Sequence, residues 1–226
     1  MTKSAPILLI AGGPQAENND IILSAAMKLT SAQHPVIAYI GTASNDDKPF
    51  FNMFKQRFIA AGAADVTLVP LVRQFDRPRA EAILKAGDLV FVSGGEVARG
   101  MEILKKRQLI PFLTGLYGSG KPFFGVSAGS IMLCRNWVRW HDPNDDNTAE
   151  LMECLGFTPL LCDVHAEEDN WEELKKLMSF FPKGTKGYGI PAGGALHVTK
   201  NGKITALGIK PVQFVKKGNN VILHKP

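Results

Sequence analysis

The stretch KPFFGVSAGSIMLC, residues 121–134, decides the fold of this chain. Its first part, PFFGV, is a short apolar run typical of a buried parallel strand. The chain passes within two residues into a helical pattern, so the turning residue, Ser127, must hold a strained backbone conformation. Gly125 and Gly129, two residues to either side, let neighbouring backbone approach closely. This G-x-S-x-G spacing indicates a nucleophile elbow, which lifts a serine hydroxyl above the edge of a sheet.

The elbow also predicts a hydrogen-bond donor for a reacting oxygen. The amide of Ala128 begins the new helix, where unpaired N–H groups and the helix dipole favour negative charge. It would point at the oxyanion formed when Ser127 attacks a carbonyl carbon. The alternative interpretation is an ordinary strand-to-helix turn whose small residues serve close packing.

Strand and helix patterns alternate along the first half of the chain. This alternation predicts right-handed crossovers and a mainly parallel sheet covered by helices on both faces, an α/β three-layer sandwich. Before the elbow, strands are expected at residues 6–11, 36–40, 66–69 and 88–92, and helices at residues 20–30, after the capping residue Asp47, and at 78–85, 97–106 and 110–116.

The second half is less regular. Residues 137–147 are polar and interrupted by proline, which predicts a long surface loop. Two apolar runs flank Asn201-Gly202, a strong hairpin signal, so we expect a C-terminal antiparallel β-hairpin extension. The remaining elements are expected as strands at residues 160–164, 188–190, 195–198, 204–207, 212–215 and 221–224, and as a helix at residues 171–180.

Length and composition bound the class of protein. The 226 residues are 45% hydrophobic and 21% charged, as in a soluble globular protein, and we expect one domain over residues 1–226. No apolar run approaches the roughly 18 residues of a membrane span. The first apolar run ends at Gly12-Gly13, which favours a strand over a signal peptide. The net charge of +5 is mild, and no basic stripe with interleaved aromatics predicts nucleic-acid binding.

The three cysteines exclude two classes of site. Cys134, Cys154 and Cys162 are odd in number and lack C-x-x-C spacing, so neither a disulfide framework nor a zinc site is indicated. A reducing cytoplasm is the simplest location. Cys134 lies on the elbow helix and is expected to pack in the core.

Two further patterns look like ligand sites. Residues 115–121 resemble the start of a P-loop, but they precede a strand where a P-loop must follow one. The second pattern has the spacing of calcium ligands, but Asn147 stands where a calcium loop needs glycine, so a solvated polar loop is expected. Its members are Asp142, Asn144, Asp146 and Glu153.

A serine nucleophile needs a general base, and the chain has five histidines. His34 and His224 are expected at the surface, and His197 in a structural role within a hairpin strand. His165 follows a predicted strand and precedes a polar loop, which places it at the carboxyl edge of the sheet where sites form. The residues alone favour His165 over His141 and leave both as candidates.

Five segments occur in an order typical of a known family. They are IGTASNDD (40–47), VFVSGGEVARGMEIL (90–104), FFGVSAGSIML (123–133), CDVHAEEDNWEEL (162–174) and GYGIPAGGAL (187–196). Together they resemble the peptidase E (aspartyl dipeptidase) and cyanophycinase-like serine hydrolases, relatives of the class I glutamine amidotransferase fold. The resemblance implies Ser127 as the nucleophile and His165 as the base. The amides of Ala128 and of Gly95, or its neighbour Gly94, would form the oxyanion hole.

The chain departs from this family at the acid that orients the histidine. The family's acid falls in the segment matching residues 189–193, where this chain has Ala192. A comparable loss costs about 10⁴ in kcat in serine proteases. Either another acid serves, with Glu167, Glu168 and Asp169 near in sequence, or the site is a Ser–His dyad. The remaining alternative is an impaired protein that acts in binding or regulation.

The residues after His165 also depart from the family. Aspartyl dipeptidases use a basic residue there to read an acidic side chain, whereas residues 167–173 read EEDNWEE. Acidic groups repel an aspartyl substrate, so a small basic or neutral peptide or amide is favoured. Gly94, Glu168 and Asn170 are expected to contact it. We expect no metal, no organic cofactor, and a monomer or homodimer. An amidotransferase reaction is disfavoured because those relatives use cysteine at the elbow.

Overall fold

The computed structural model describes residues 5–13, 19–142 and 144–224. Local signals set the ends of its helices. Asp47, for example, accepts a hydrogen bond from the Phe50 amide at 2.8 Å and caps the second helix, in which Pro49 stands in the first turn. The elements of the first half are β1 (Ile7–Ile10), α1 (Asn19–Met27), β2 (Val36–Ile40), α2 (Lys48–Ala60), β3 (Asp65–Leu68), α3 (Arg77–Ala86), β4 (Leu89–Val92), α4 (Val97–Lys106), α5 (Ile110–Gly118), β5 (Phe123–Val126) and α6 (Ala128–Leu133).

The second half is rich in strands. Its elements are β6 (Asn136–Trp140), β7 (Ala149–Glu153), β8 (Leu161–Val164), α7 (Glu172–Ser179), β9 (Lys186–Ile190), β10 (Gly194–Val198), β11 (Ile204–Gly208), β12 (Val212–Lys217) and β13 (Asn220–Leu223). No helix among the described residues is long and apolar enough to cross a membrane.

A seven-stranded sheet forms the centre, in the order β11-β10-β1-β5-β4-β2-β3. The five strands from β1 to β3 are parallel, which confirms the predicted sheet. Strands β10 and β11 continue it as an antiparallel hairpin, whose turn includes Gly202 at φ 75°. The elbow strand β5 lies between the parallel strands β1 and β4, so its carboxyl end opens between neighbouring strand ends.

Side chains alternate between the two faces of this sheet. Leu8 and Ile10 of β1 pack with α1 and α2 on one face. Ile7 and Leu9 pack on the other face, where the buried side chains of α3, α4, α5 and α6 lie. The predicted three-layer arrangement is confirmed.

A second sheet has the order β13-β12-β9-β8, in which β8 and β9 are parallel. The apolar side of α7, with Leu174, Leu177 and Met178, packs in one core with Phe214 of this sheet. The sheet therefore carries the segment that follows β8, which includes His165.

The prediction of a long surface loop over residues 137–147 is wrong for its first part. Residues 136–140 form β6, which pairs with β7 in an antiparallel hairpin. Val138 is fully buried in the core of α7, whereas Arg139 points outward to an ion pair with Glu150. Asn136 stands on the buried face and Trp137 on the other face, so the strand does not alternate between apolar and polar residues and the pattern did not reveal it.

Candidate active site

Ser127 lies between β5 and α6 with φ 52° and ψ −125°, the strained conformation expected of an elbow. Its N–H donates to the Ile10 carbonyl at 2.9 Å. A Cβ on Gly129 would lie 2.1 Å from the Val92 carbonyl oxygen, and one on Gly125 would lie 2.5 Å from the Gly129 backbone. Both glycines are therefore required for close backbone approach, as the motif predicted.

Ser130, which the sequence analysis did not single out, ties the elbow to β1. Its buried hydroxyl accepts a hydrogen bond from the Ile10 amide at 2.8 Å. The same oxygen lies 2.8 Å from the carbonyls of Ile10 and Gly125, and its single proton can serve one of them at a time. A serine within an otherwise apolar helical run was the signal for this anchor.

The structure brings His165 to the serine. The Nε2 atom of His165 lies 2.8 Å from the Oγ of Ser127, within hydrogen-bond distance. His165 directly follows β8, with φ 44°, and its N–H donates to the Ile190 carbonyl at 2.9 Å. The pairing of β8 with β9 thus fixes the backbone that carries the imidazole.

The other histidines lie elsewhere. His34 and His224 are exposed, as expected. His141, the second candidate, is exposed and its Nε2 lies 3.2 Å from a carboxylate oxygen of Glu150. His197 is half-buried on β10, and burial lowers its pKa. Of the two candidate bases, only His165 is placed to reach Ser127.

Three backbone amides near Ser127 make no hydrogen bond within the described residues, those of Gly94, Gly95 and Ala128. Ala128 is the first residue of α6. A Cβ on Gly94 would lie 3.2 Å from the Cβ of Ser127, so this backbone passes directly beside the nucleophile. Gly95 has φ 136°, and a Cβ there would lie 2.1 Å from the Ala43 carbonyl oxygen. Free donors so placed are suited to hold a developing oxyanion.

The family model of peptidase family S51 matches residues 7–206. This chain belongs to peptidase family S51. Membership supports a peptidase E-like serine peptidase.

Two solved structures share the fold. A peptidase from an acI-B1 Actinobacterium has a TM-score of 0.74 at 16% identity, over 99% of this chain and 95% of that chain. A peptidase E candidate from Listeria monocytogenes EGD-e has a TM-score of 0.67 at 14% identity, over 92% of this chain and 100% of that chain. A search of curated proteins gives no match.

Within the described residues of this S51 chain, no carboxylate hydrogen-bonds to the imidazole of His165. Ala192 borders the site, and its N–H donates to the Oε1 of Glu167 at 2.7 Å. Asp169 instead accepts a hydrogen bond from the Trp171 amide at 2.9 Å. Two of the three acids near in sequence are thus engaged with backbone amides rather than with the imidazole.

Two cavities meet at the serine. The first, of about 740 Å³, we name the apolar cavity. Its mouth carries the exposed Arg57 together with Glu167 and Glu168. The walls come from α1, α2 and β4 and are mainly apolar, with the side chains of Ile22, Phe50, Met53, Phe54, Phe58 and Phe91.

The second cavity, of about 530 Å³, we name the acidic cavity. Asp163, Asp169 and Glu173 line it beside Trp137. Among its described lining residues there is no lysine or arginine. Both cavities share Gly95, Ser127 and His165.

Burial perturbs two carboxyl groups of the acidic cavity. It raises the pKa of Asp163 to about 6 and the pKa of Glu173 to about 7. The amides of Val164 and Leu174 favour the charged form of Asp163 and oppose this effect. The charge of Asp163 adds to the raised pKa of Glu173. Such perturbed groups beside a nucleophile are typical of functional sites.

Two of the three predicted substrate contacts line a cavity at the serine, and the third does not. Gly94 and Glu168 line the apolar cavity, whereas Asn170 lines neither cavity. Sequence reasoning missed Asp163 and treated Glu173 only as part of the acidic stretch 167–173. A signal for Asp163 was available, because a carboxylate inside an apolar strand run is rarely buried without a reason.

The remaining patterns hold no site in the described part of the chain. No group of three or more His, Cys, Asp or Glu residues there is arranged to hold a metal ion. Asp146 of the calcium-like pattern accepts a hydrogen bond from the Trp140 indole and pairs with Lys176. Cys134 is buried in the core as expected, with its Sγ 3.2 Å from that of Cys162.

Proposed function

We propose that this chain is a serine hydrolase that cleaves a small peptide or amide through an acyl-enzyme on Ser127, with His165 as the base. The observation that carries the proposal is the 2.8 Å approach of His165 Nε2 to Ser127 Oγ on a strained elbow. At that distance the imidazole can take the hydroxyl proton as the oxygen attacks. The free thiols of the chain favour a reducing compartment, so we place the activity in the cytoplasm.

In the first half-reaction, neutral His165 carries its proton on Nδ1 and accepts the Ser127 proton on Nε2. The serine oxygen bonds to the substrate carbonyl carbon, whose oxygen becomes an oxyanion. The amides of Gly95 and Ala128, with Gly94 beside them, donate hydrogen bonds to that oxyanion. Collapse of the intermediate breaks the C–N bond, and Nε2–H gives its proton to the leaving amine.

In the second half-reaction, water takes the place of the amine. His165 removes a proton from the water as its oxygen attacks the acyl-enzyme carbonyl. The same amides hold the second oxyanion, and the proton passes from Nε2 to the Ser127 oxygen as the acid is released. Substrate, one water molecule, Ser127 and His165 account for every bond and proton in the two half-reactions.

In this proposal the negative charge of Asp163 takes the role that a carboxylate hydrogen-bonded to the His165 imidazole would have. The charges of Asp163 and His165 interact, since the histidine lowers the pKa of that carboxyl while burial raises it. A negative Asp163 would favour the imidazolium that forms in each step. The backbone of His165 is held by its bond to Ile190, which restricts the imidazole in place of a side-chain partner.

One observation favours a second candidate function. The resemblance to peptidase E implies an acid in the segment 189–193, where this chain has Ala192, and within the described residues no carboxylate hydrogen-bonds to the His165 imidazole. A site with this loss that keeps its two cavities would serve a binding or regulatory protein. That protein would bind ligand without turnover.

Labelling with a fluorophosphonate probe tests the hydrolase. We expect labelling at neutral pH that vanishes in Ser127→Ala and slows by about 100-fold or more in His165→Ala. His141→Ala is the matched control, because this histidine is exposed, contacts Glu150 and lines neither cavity at Ser127, and it should label like the parent protein. Folded protein that takes up no probe would overturn the hydrolase and favour the binding protein.

A further inference from the structure

The two cavities flank the reacting serine and differ in chemistry. Because Gly95, Ser127 and His165 line both, a carbonyl seated on Ser127 has one cavity on either side. Each cavity lies within the range of about 300–1,000 Å³ typical of ligand sites. The two parts of a substrate that flank its scissile bond can therefore occupy separate cavities.

The acidic cavity carries an unsatisfied buried acceptor. Asp163 is only 4% exposed, and among the described residues its Oδ2 has no well-formed hydrogen bond, although the nearby Leu174 amide favours its charged form. Its other oxygen accepts from the Val164 amide at 2.7 Å. A buried carboxylate oxygen without a partner is costly, and a bound cation would satisfy it.

The neighbours of Asp163 favour a positive ligand. Glu173 and Asp169 add two carboxylates to the same cavity, which Trp137 also lines. Burial is the main cause of the raised pKa values of Asp163 and Glu173, and the crowding of neighbouring carboxylates adds to it. A cationic group entering the cavity would relieve that crowding.

The apolar cavity favours the opposite chemistry. Leu23 of α1 and Phe50 and Met53 of α2 line it with half-buried side chains, next to core rings such as Phe54. Apolar side chains that keep free surface bind large aliphatic or aromatic groups by burial of that surface. The mouth, where Arg57, Glu167 and Glu168 lie, stays polar.

We propose that the substrate is a short peptide or amide with a cationic side chain on one side of the scissile bond and a large apolar group on the other. The cation binds in the acidic cavity against Asp163 and Glu173, and the apolar group binds in the apolar cavity. This inference rests on the proposed hydrolase function, since it names the substrate of the same site.

Binding to the Ser127→Ala protein tests the substrate class without turnover. The probes are N-acetyl-Lys-Phe-amide and N-acetyl-Phe-Lys-amide, each compared by calorimetry with its norleucine counterpart. Norleucine keeps the length of lysine and removes the charge. For one of the two residue orders, we expect the lysine probe to bind at least about tenfold more tightly than its norleucine counterpart. Replacing Phe by Ala in that probe should weaken binding about tenfold. A lysine preference below twofold in both orders would overturn the proposal.

Substitutions in each cavity test where the cationic group and the apolar group of the ligand bind. Glu173→Gln should abolish most of the lysine preference, whereas Glu172→Gln, on the exposed side of the same helical turn, should retain it. Met53→Trp should fill the apolar cavity and weaken binding of the Phe probe, with the exposed neighbour change Asn52→Trp as its control. Equal behaviour of both members of either pair would show that the ligand lies elsewhere and contradict the proposal.

Fluorophosphonate labelling of the parent protein separates this inference from the function on which it rests. Labelling without a lysine preference overturns the substrate class and leaves the hydrolase intact. A lysine preference without labelling supports the ligand class and overturns the hydrolase. Both results together support both proposals.

Discussion

The apolar and acidic cavities differ in what their walls do for the fold. The apolar wall is continuous with a ring cluster of the main core, in which Phe58 and Phe91 lie 4.8 Å apart between centroids. The acidic wall buries Asp163 with an unpartnered oxygen. Burial of rings stabilises the native state, whereas burial of a lone carboxylate opposes it. A wall that costs stability and borders a nucleophile is explained better by ligand binding than by folding.

The largest change in stability is expected from a substitution in the apolar wall. Phe58 is fully buried and contacts Phe54, Phe91 and Phe124. Phe58→Ala should lower the free energy of unfolding by about 3–5 kcal/mol, since it removes apolar burial and leaves a cavity. Urea unfolding measures the change.

Phe180→Ala is the matched control for Phe58→Ala, because Phe180 is 43% exposed. Its unfolding free energy should stay within about 1 kcal/mol of the parent protein. Similar losses in the two variants would show that the ring cluster is not the stabilising part of the apolar wall.

The next largest effect is expected at Gly95, which lines both cavities. In Gly95→Ala the new Cβ would meet the Ala43 carbonyl oxygen at 2.1 Å, and the backbone φ of 136° is unfavourable for alanine. The amide must move, so the rate of fluorophosphonate labelling should fall by about 10²- to 10³-fold. Because Gly95 lines both cavities, both halves of a bound peptide should be displaced.

Gly115→Ala controls for the general effect of replacing a glycine. Gly115 lies inside α5 with open space where a Cβ would stand. Alanine there should leave labelling unchanged and stabilise the helix by up to about 1 kcal/mol. A parent-like labelling rate in Gly95→Ala would contradict the assignment of its amide to the oxyanion hole.

Removing the buried charge from the acidic wall should raise the free energy of unfolding, whereas removing a ring from the apolar wall should lower it. Asp163→Asn keeps an acceptor for the Val164 amide and removes the buried charge. At pH 8 we expect it to raise the free energy of unfolding by about 1–3 kcal/mol, given the rise of the Asp163 pKa from 3.8 to about 6. Thermal or urea unfolding measures this gain.

The pH dependence of that gain follows from linkage. Between pH 4 and pH 6 the native state binds more protons at Asp163 than the unfolded state does, so the stability of the parent falls as the pH rises. The advantage of Asp163→Asn should be full above about pH 6 and absent below about pH 4. An advantage that is independent of pH would mean that burial does not raise this pKa.

The same contrast separates what the sequence predicted from what it did not. Local signals placed the parallel sheet, the helices on both faces and the elbow at Ser127, because period and glycine spacing act over a few residues. They also favoured His165 over His141, since the end of β8 is a local feature. The contact of Ser127 with His165 joins distant segments, and only the pairing of β8 with β9 sets it.

Local sequence patterns could not predict the acidic wall. In the sequence, Asp163 is one polar residue in an apolar strand, and Glu173 is one of several acidic residues in the stretch 167–173. Their shared cavity arises because α7 packs across β8 and β6, a tertiary arrangement that includes the hairpin missed at residues 137–147. The failure of local reasoning there coincides with the unsatisfied Asp163, as expected where function and folding conflict.

The smallest expected effect distinguishes two adjacent glutamates on α7. Glu173 is half-buried in the acidic cavity with a pKa raised from 4.5 to about 7, whereas Glu172 is exposed. At pH 8 Glu173→Gln should stabilise the fold by about 1 kcal/mol or less, and Glu172→Gln should change it by no more than about 0.5 kcal/mol. The gain in Glu173→Gln should disappear below about pH 4.5, because the folded and unfolded states then both hold the proton. Loss of stability in Glu173→Gln at pH 8 would instead mean that its charge supports the fold, and the acidic cavity would no longer need a cationic ligand to explain it.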